Sequence, residues 1–440
     1  MKKSSKTAGG ESPLSQKALT FAQKMSREPH LRAICDSFLF TIPFLVLSGF
    51  MVFIAWVLLA EGTFVTKALP ASVVTAIQTI CGKAINGGQN ILSLMMVFLA
   101  SFNLAKNKKY HNPVMPAIIS VGALFILQPG ALSYDQIGTK GLFVAFLTAL
   151  LVTELFLALS KVEKLKLKVS GNVPPAITES FNTMFVIIII ELLVALLAWG
   201  CEAATGKGVY ELINTVLQKP LVGVATKLPT FLLYYGFGQC FGYFLGIHPA
   251  GWINPIVDPP LMVAIEENNA AWLAGQEAPH IISLPFRDVY GTLGGIASTL
   301  GLIFAILLVC KRKDLRDVAK LALPTSIFNI NEPVLFGVPI VFNPIMFIPF
   351  CFTTSILYTL AYVATSIGLI SKLVVYTTWS TPIFFSGYMA SGGDWRNVVF
   401  QVFLLFVAFL CYLPFAKILD KQKVETVADD EELTAEDLNF

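Results

Sequence analysis

The feature that most constrains this chain is a series of five long apolar runs in its first half. They occupy residues 38–60, 90–105, 113–127, 142–160 and 183–200 and contain almost no charged side chains. A helix needs about 20 apolar residues to cross the hydrocarbon core of a bilayer. The runs are continuous, whereas a membrane β-barrel strand alternates apolar and polar residues. The pattern therefore predicts an all-α polytopic membrane protein, and the length leaves room for about ten spans.

The composition supports this prediction and excludes several other classes of protein. Apolar residues make up 55% of the 440 residues and charged residues 13%, against about 25% charged in an average soluble domain. The net charge of +3 is not the signature of a nucleic-acid-binding protein. The seven cysteines are scattered without a CxxC pair. We expect them to be small buried hydrophobic residues and not zinc ligands or disulfides.

Basic residues flank the apolar runs in a pattern that predicts the topology. They cluster before the first run, at 106–109, at 161–168, at 311–316 and directly after the last run. Because such clusters are enriched in cytoplasmic loops, we expect both termini to be cytoplasmic and the loop after residue 200 to lie outside. Residues 1–35 lack the apolar region of a signal peptide and predict an amphipathic surface segment. Residues 421–440 are an acidic tail that we expect to be disordered.

The apolar stretches of the second half are broken by Gly, Pro, Asn, His and acidic residues. The main interruptions lie at residues 244–260, 286–299 and 328–344. Proline removes a backbone donor and interrupts a helix. Non-helical backbone at membrane depth is tolerated only inside protein or beside a water-filled cavity. In transporters such interruptions mark the substrate site, so we expect the functional residues in this half.

Glu332 stands in an otherwise apolar stretch, between Asn331 and Pro333. A charge at the bilayer centre costs about 2.5–3.5 kcal/mol on insertion scales, so such a residue is a candidate for a functional site. Its carboxylate could contact a ligand or accept a proton. Alternatively, Asn331 or Glu332 could cap a helix whose first position is Pro333. The two interpretations are compatible, because a hairpin tip with free N–H groups also binds polar ligands.

Four further residues in the broken half are candidates. His248 lies between apolar stretches and could donate to a ligand or share a proton, or it could be a satisfied core histidine. Asp288 precedes a Gly-rich stretch and could bind a hydroxyl group or pair with Arg287. Asn254 could likewise contact a ligand or be structural. Trp379 could stack on a sugar ring or mark a membrane interface.

The sequence lacks the short motifs of several enzyme classes. It contains no GxxxxGK[ST], HExxH or GxSxG motif. Energy for transport would therefore come from an ion gradient or from a phosphoryl donor on another polypeptide. We expect no metal ion and no organic cofactor.

The region around Glu332 resembles a known family. Residues 321–350 read LALPTSIFNINEPVLFGVPIVFNPIMFIPF. The Gly246-Ile247-His248 segment, Asp288 with its Gly-rich continuation, and Trp379 fall in matching order. This pattern resembles the membrane component, enzyme IIC, of bacterial phosphotransferase-system (PTS) sugar transporters, in the lactose/cellobiose/diacetylchitobiose branch. The resemblance covers nearly the whole chain.

The resemblance implies a specific architecture. Residues 36–215 would form a five-helix domain that makes a homodimer. Residues 216–420 would form the substrate-binding transport domain, with five more spans and two re-entrant hairpins, which moves across the membrane like an elevator. The protein would be a multi-pass component of the bacterial cytoplasmic membrane.

The resemblance also implies a reaction. The 6-hydroxyl of the bound sugar would be phosphorylated by a phosphocysteine on a separate IIB protein, itself charged by a IIA protein, so this chain would carry no phosphocarrier residue. Glu332 would hydrogen-bond that hydroxyl and accept its proton, and His248 would hold the same hydroxyl or the developing charge. Asn331, Asp288, Asn254 and Trp379 would contact the sugar. The substrate would be a β-linked disaccharide, with diacetylchitobiose or cellobiose favoured over lactose.

Two other functions compete with this interpretation. In a proton-coupled secondary sugar transporter, Glu332 and His248 would carry protons, a role that suits acids inside a membrane. In a sugar sensor or scaffold, the sugar would bind without being moved. Uptake that an uncoupler abolishes, with no sugar phosphate formed, would indicate the first. Binding without flux into liposomes would indicate the second.

Overall fold

The computed structural model describes residues 28–128, 130, 134–166, 175–246, 254–338 and 340–422. For residues 135, 175–180 and 255 it describes only the backbone. The predicted surface segment 1–35 and the acidic tail 421–440 therefore lie mostly outside the described residues. The parts of these two segments that are described lie at the ends of long helices. The first long helix begins at Pro29, and the last helix ends at Lys421.

Each of the five apolar runs in the first half forms a helix, and three further helices lie between the runs. Their bounds are α1 Pro29–Val52, α2 Phe64–Ala68, α3 Ala71–Asn86, α4 Leu92–Asn107, α5 Val114–Ile126, α6 Tyr134–Ile137, α7 Leu142–Leu159 and α8 Pro175–Thr205. Helix α1 continues as a π-helix over Phe53–Leu58. It begins where the Glu28 side chain accepts a hydrogen bond from the Leu31 amide at 2.8 Å, directly before Pro29. This is the acidic cap followed by proline that favours a helix start.

Helix α4 is the centre of the first half. It packs against α1, α5 and α7, and its residues Leu92, Met96, Ala100 and Leu104 are fully buried. These positions are four residues apart, so they form one buried face of the helix. Helix α8 differs, because only 17% of its apolar window is buried. Its outer face is therefore free to meet lipid or another copy of the chain.

The second half is a series of shorter and broken helices. Their bounds are α9 Val209–Ile213, α10 Lys219–Ala225, α11 Leu228–Phe231, α12 Gln239–Phe244, α13 Asn254–Leu273, α14 Leu284–Gly291, α15 Leu300–Val309, α16 Lys313–Ser326, α17 Glu332–Gly337, α18 Pro344–Ser366, α19 Phe385–Ala390 and α20 Trp395–Lys421. π-Helical turns at Asn214–Gln218 and Leu232–Gly238 join α9 to α10 and α11 to α12. The predicted domain boundary at 215/216 therefore falls inside a continuous helix and not in a linker.

Close helix contacts hold the second half together. Helices α15 and α20 approach so closely that a Cβ on Gly301 would lie 2.7 Å from the backbone carbon of Ala408. Small residues allow this kind of contact between membrane helices. At the same interface the Tyr412 hydroxyl donates to the Ala297 carbonyl at 2.7 Å. The non-helical turn between α14 and α15 is thereby fixed against α20.

Six helical segments of the described residues are long and apolar enough to cross a membrane, or seven if the bent pair formed by α14 and α15 is one span. The sequence pattern predicts about ten spans. The difference arises partly because α5 in the first half is too short to span. In addition, several apolar stretches of the second half are broken by proline, glycine or asparagine before they reach spanning length. The all-helical membrane architecture is thus confirmed, whereas the number of spans and the re-entrant hairpins stay predictions.

Two kinds of contact join the halves. Gly49 on α1 lies directly against the backbone of Tyr376, where a Cβ would approach the Tyr376 carbonyl oxygen to 2.4 Å. Nearby, Phe53 packs edge-on against Phe385 at 5.5 Å. A polar contact between the halves is the hydrogen bond from the Gln89 side chain to the carboxylate of Glu266 on α13.

Candidate functional site

A cavity of about 290 Å³ lies between α1 and the broken helices of the second half. It is lined by five of the six predicted site residues, namely Asn254, Asp288, Asn331, Glu332 and Trp379. The sixth, His248, lies outside the described residues. Residues from four separate parts of the second half thus meet at one site, although up to 125 residues separate them in the chain.

The walls of the cavity differ in polarity. Helix α1 contributes mostly apolar side chains, including Phe38, Leu39, Ile42 and Leu45. Phe38 is positioned by the ring of Phe146, with centroids 5.6 Å apart. The second half contributes mostly polar side chains. The first half of the chain, which the sequence analysis did not connect with the site, therefore supplies one apolar wall.

Glu332 is the first residue of α17 and its side chain is exposed. Neither Glu332 nor Asn331, which occupies the N-cap position, caps the helix with its side chain. The capping interpretation of these two residues is therefore wrong for their side chains. Among the described residues, the Glu332 carboxylate has no hydrogen-bond or ion-pair partner. It is available to a ligand in the cavity.

Asn331 connects the start of α17 to the break between α14 and α15. Its side-chain nitrogen donates to the Ile296 carbonyl and to the Thr299 hydroxyl, both at 2.9 Å. The residue is 3% exposed. The amide that lines the cavity is thus already engaged, and its main observed role is to hold the segment that carries Glu332.

Asn329 is a site residue that the sequence analysis missed. Its side-chain oxygen accepts from the Gly294 amide at 3.0 Å, and its side-chain nitrogen donates to the carbonyls of Trp379 at 2.6 Å and Thr381 at 3.2 Å. Its φ of +61° lies in the left-handed region that asparagine tolerates better than most residues. The Asn329 side chain therefore connects its own non-helical segment to two others, the one around Gly294 and the one from Trp379 to Thr381. The feature of the sequence that could have indicated Asn329 is its position two residues before Asn331.

The Gly-rich stretch after Asp288 gives the backbone room at this junction. Gly294 and Gly295 have φ values of +79° and +101°. A Cβ on Gly295 would lie 2.4 Å from the Asn331 side chain, and one on Gly294 would lie 2.3 Å from the Leu300 side chain. Both positions therefore require glycine for conformation and for space.

Asp288 belongs to a buried ionic cluster centred on Arg287. The guanidinium donates to Asp288 from Nε at 2.8 Å and from Nη2 at 3.2 Å, and to Asp258 from Nη1 at 2.9 Å. The Tyr235 hydroxyl also donates to Asp258, and the guanidinium carbon lies 5.3 Å from the centre of the Tyr235 ring. The predicted pairing of Asp288 with Arg287 is confirmed. Asp258, which also lines the cavity, was not predicted.

Asn254 is the first residue of α13, and its side-chain oxygen is buried without a hydrogen-bond partner among the described residues. Asn254, Asp258 and Met262 follow one another at intervals of four residues, and all three line the cavity. This spacing places them on one face of α13. A buried acceptor without a donor costs free energy, so Asn254 is suited to bind a donor in the cavity.

Trp379 lies in the non-helical stretch before α19. Its side chain is 45% exposed, while its backbone carbonyl is held by Asn329. A large aromatic face is thus presented to the cavity on a fixed backbone.

Residues 35–354, more than half of the chain, match the family model described as "Phosphotransferase system, EIIC". The chain is 31% identical over 428 residues to the PTS system oligo-beta-mannoside-specific EIIC component of Bacillus subtilis (strain 168), and this alignment covers 93% of each protein. It is 30% identical to the lichenan permease IIC component of the same organism, over 94% of this chain and 95% of that one.

A solved structure is also similar. The crystal structure of the transporter ChbC, the IIC component from the N,N'-diacetylchitobiose-specific phosphotransferase system, matches with a TM-score of 0.85. The sequence identity is 28%, and the match covers 93% of this chain and 98% of that one.

Proposed function

Since the chain belongs to the phosphotransferase-system EIIC family of membrane sugar permeases, we propose that it binds a β-linked disaccharide and carries it across the bacterial cytoplasmic membrane. The sugar is then phosphorylated at its 6-hydroxyl by the phosphocysteine of a IIB partner, which a IIA protein recharges. Both termini lie in the cytoplasm, where these partners act.

The observation that carries this proposal is the cavity of about 290 Å³ with one apolar and one polar wall. Its volume is close to the lower end of the range for small-molecule sites, about 300–1,000 Å³. A sugar has apolar C–H faces and polar hydroxyl edges. The α1 wall and Trp379 suit the C–H faces, while Asn254, Asp258 and Glu332 suit the hydroxyl groups.

Glu332 has the role of proton acceptor in this proposal. As the sugar 6-oxygen attacks phosphorus, the O–P bond forms and the S–P bond to the IIB cysteine breaks. The thiolate stays on IIB, and the hydroxyl proton passes to the Glu332 carboxylate. General base catalysis of this kind contributes about 10²–10⁴-fold to a rate. His248 holds the same hydroxyl or the developing charge.

Movement of the sugar follows an elevator mechanism, in which the second half of the chain slides past the first. The apolar contact of Phe53, in the π-helical continuation of α1, with Phe385 supports this, because apolar contacts are not directional. The apolar outer face of α8, with Leu192, Leu196 and Trp199 exposed, supports a homodimer contact through the first half.

The names of the relatives refer to oligo-β-mannosides, lichenan and N,N'-diacetylchitobiose. They support an oligosaccharide substrate, and we favour diacetylchitobiose or cellobiose over lactose. The test is binding of the three radiolabelled disaccharides to the purified protein, with Glu332→Ala beside the wild type. We expect saturable binding of one or more sugars that Glu332→Ala removes. Absence of binding to all three would contradict the proposal.

A further inference from the structure

We propose that Asp258 is a substrate-binding residue whose free carboxylate oxygen accepts a hydrogen bond from a hydroxyl group of the transported sugar. This inference rests on the proposed function, because it takes the ligand to be a polyhydroxyl compound. Asp258 lies on α13 and lines the cavity. It meets the ligand from a different element than Glu332, which lies on α17.

The two carboxylates around Arg287 are used differently. Both oxygens of Asp288 accept hydrogen bonds from Arg287, at 2.8 and 3.2 Å, and its side chain is 5% exposed. Asp258 uses only Oδ1, which accepts from Arg287 Nη1 at 2.9 Å and from the Tyr235 hydroxyl. Its Oδ2 has no partner within the described part of the chain, and its side chain is 18% exposed. Asp258, and not Asp288, therefore has an oxygen available to the ligand.

The charge balance favours a donor at this oxygen. One guanidinium faces two carboxylates, so the cluster formed by Asp258, Arg287 and Asp288 has an excess of one negative charge. A sparsely solvated carboxylate oxygen is stabilised by hydrogen-bond donors. Sugar hydroxyl groups supply such donors. Since Arg287 and Tyr235 fix the direction of the Asp258 carboxylate in advance, little conformational freedom is lost when the sugar binds.

Asn254 extends the same acceptor surface. It precedes Asp258 by four residues on α13, and its side-chain oxygen is buried and without a partner among the described residues. Residues at this spacing on a helix have Cβ atoms about 5–6 Å apart. Two acceptors at this separation match two hydroxyl groups of one sugar unit. Asp288 is then a positioning residue, which acts through Arg287.

The test uses the full-length protein, purified in detergent, and the disaccharide that the wild type binds most tightly among diacetylchitobiose, cellobiose and lactose. Affinities are measured for that sugar and for each of its monodeoxy analogues. In Asp258→Asn an amide group replaces one carboxylate oxygen and the charge is lost. We expect the variant to bind the parent sugar about 10–100-fold more weakly, the range for a hydrogen bond to a charged group. We also expect it to lose discrimination against one analogue that the wild type rejects.

Asp288→Asn is the matched comparison, because it removes the other carboxylate of the same cluster. As a change in a positioning residue, it should weaken binding of the parent sugar and of every analogue by a similar factor. The assignment of the two roles would be overturned if Asp288→Asn lost discrimination against one analogue while Asp258→Asn weakened binding of the parent sugar and of all analogues by the same factor.

Tyr235→Phe provides a second route if Asp258→Asn does not elute as a folded protein. It removes one donor to Asp258 and leaves the carboxylate in place, so discrimination against the same analogue should fall a few-fold. The inference is overturned if Asp258→Asn discriminates among the analogues as the wild type does. If only Tyr235→Phe folds, the same result in that variant overturns it. If the wild type binds none of the three disaccharides, the proposed function itself fails, which is a distinct result.

Discussion

The side-chain nitrogen of Asn329 donates a hydrogen bond to the backbone carbonyl of Trp379 at 2.6 Å, across 50 residues of sequence. Asn329 precedes α17, which begins with Glu332, and Trp379 presents its ring to the same cavity. The bond therefore sets the position of an acidic residue relative to an aromatic one. The site is built by this kind of contact between chain interruptions, more than by any single helix.

We expect Asn329→Ala to destabilise the protein by about 1–3 kcal/mol, because buried backbone groups of Gly294, Trp379 and Thr381 lose their partner. We expect the affinity of Asn329→Ala for the sugar to fall as well, because the positions of Trp379 and Glu332 are no longer fixed relative to each other. Thermal unfolding in detergent and sugar titration measure the two effects. Asn329→Asp is the matched variant, since it keeps the acceptor for Gly294 and loses the donor to Trp379. Wild-type stability and affinity in Asn329→Ala would contradict the role given to this side chain.

Glu332→Gln should leave the fold intact and stop the phosphoryl transfer. The side chain is exposed and has no partner among the described residues, so its loss costs little stability. Without a proton acceptor, the rate of sugar phosphate formation should fall by about 100-fold or more. Glu277→Gln is the control, because Glu277 is an 86% exposed carboxylate paired with Lys372 outside the cavity. A Glu332→Gln protein that forms sugar phosphate at the wild-type rate would show that the base lies elsewhere.

Trp379→Ala should weaken sugar binding about tenfold, which corresponds to about 1.4 kcal/mol, because the aromatic face against the sugar is lost. Trp379→Phe should retain part of the affinity. Trp395→Ala is the control, as Trp395 is 67% exposed at the start of α20 and does not line the cavity. Equilibrium binding of the radiolabelled sugar gives the three affinities. Equal losses in Trp379→Ala and Trp395→Ala would exclude a specific contact.

The break between α14 and α15 should not tolerate a side chain at Gly295. Gly295→Ala combines an unfavourable φ of +101° with a Cβ 2.4 Å from the Asn331 side chain. Strain at such a backbone position alone costs about 1–3 kcal/mol. We expect a lower melting temperature and loss of sugar binding. Gly223→Ala is the control, because a Cβ there meets nothing within 4 Å. If Gly295→Ala and Gly223→Ala have the same melting temperature, the break between α14 and α15 is less constrained than the geometry indicates.

The sequence was sufficient to predict five helices of the first half, since each apolar run has its own boundaries and forms one helix. Helices α2, α3 and α6, which lie between the runs, were not predicted. It also predicted that the second half is broken and that Asn254, Asp288, Asn331, Glu332 and Trp379 belong to one region. The four polar residues among them were recognisable because polar and ionisable groups inside apolar stretches are costly and few.

Long-range pairings could not be predicted in the same way. Asn329, Asp258 and Tyr235 become site residues only through partners far along the chain, and nothing in their local sequence specifies those partners. The apolar wall of α1 looked like an ordinary membrane helix, because its cavity-facing residues do not differ in type from its lipid-facing ones. The engagement of the Asn331 side chain by Ile296 and Thr299 could not be predicted for a similar reason, because a sequence does not display such tertiary contacts.

The most direct test of phosphorylation-coupled sugar uptake is transport of radiolabelled diacetylchitobiose and cellobiose into proteoliposomes that contain this protein. The IIB and IIA proteins and a phosphoryl donor are supplied on the side that holds the cytoplasmic termini, with a protonophore present throughout. We predict that transported sugar is recovered as sugar 6-phosphate, and that omission of IIB abolishes its formation. Accumulation of unmodified sugar that needs no IIB and that the protonophore abolishes would contradict it and indicate a proton-coupled transporter.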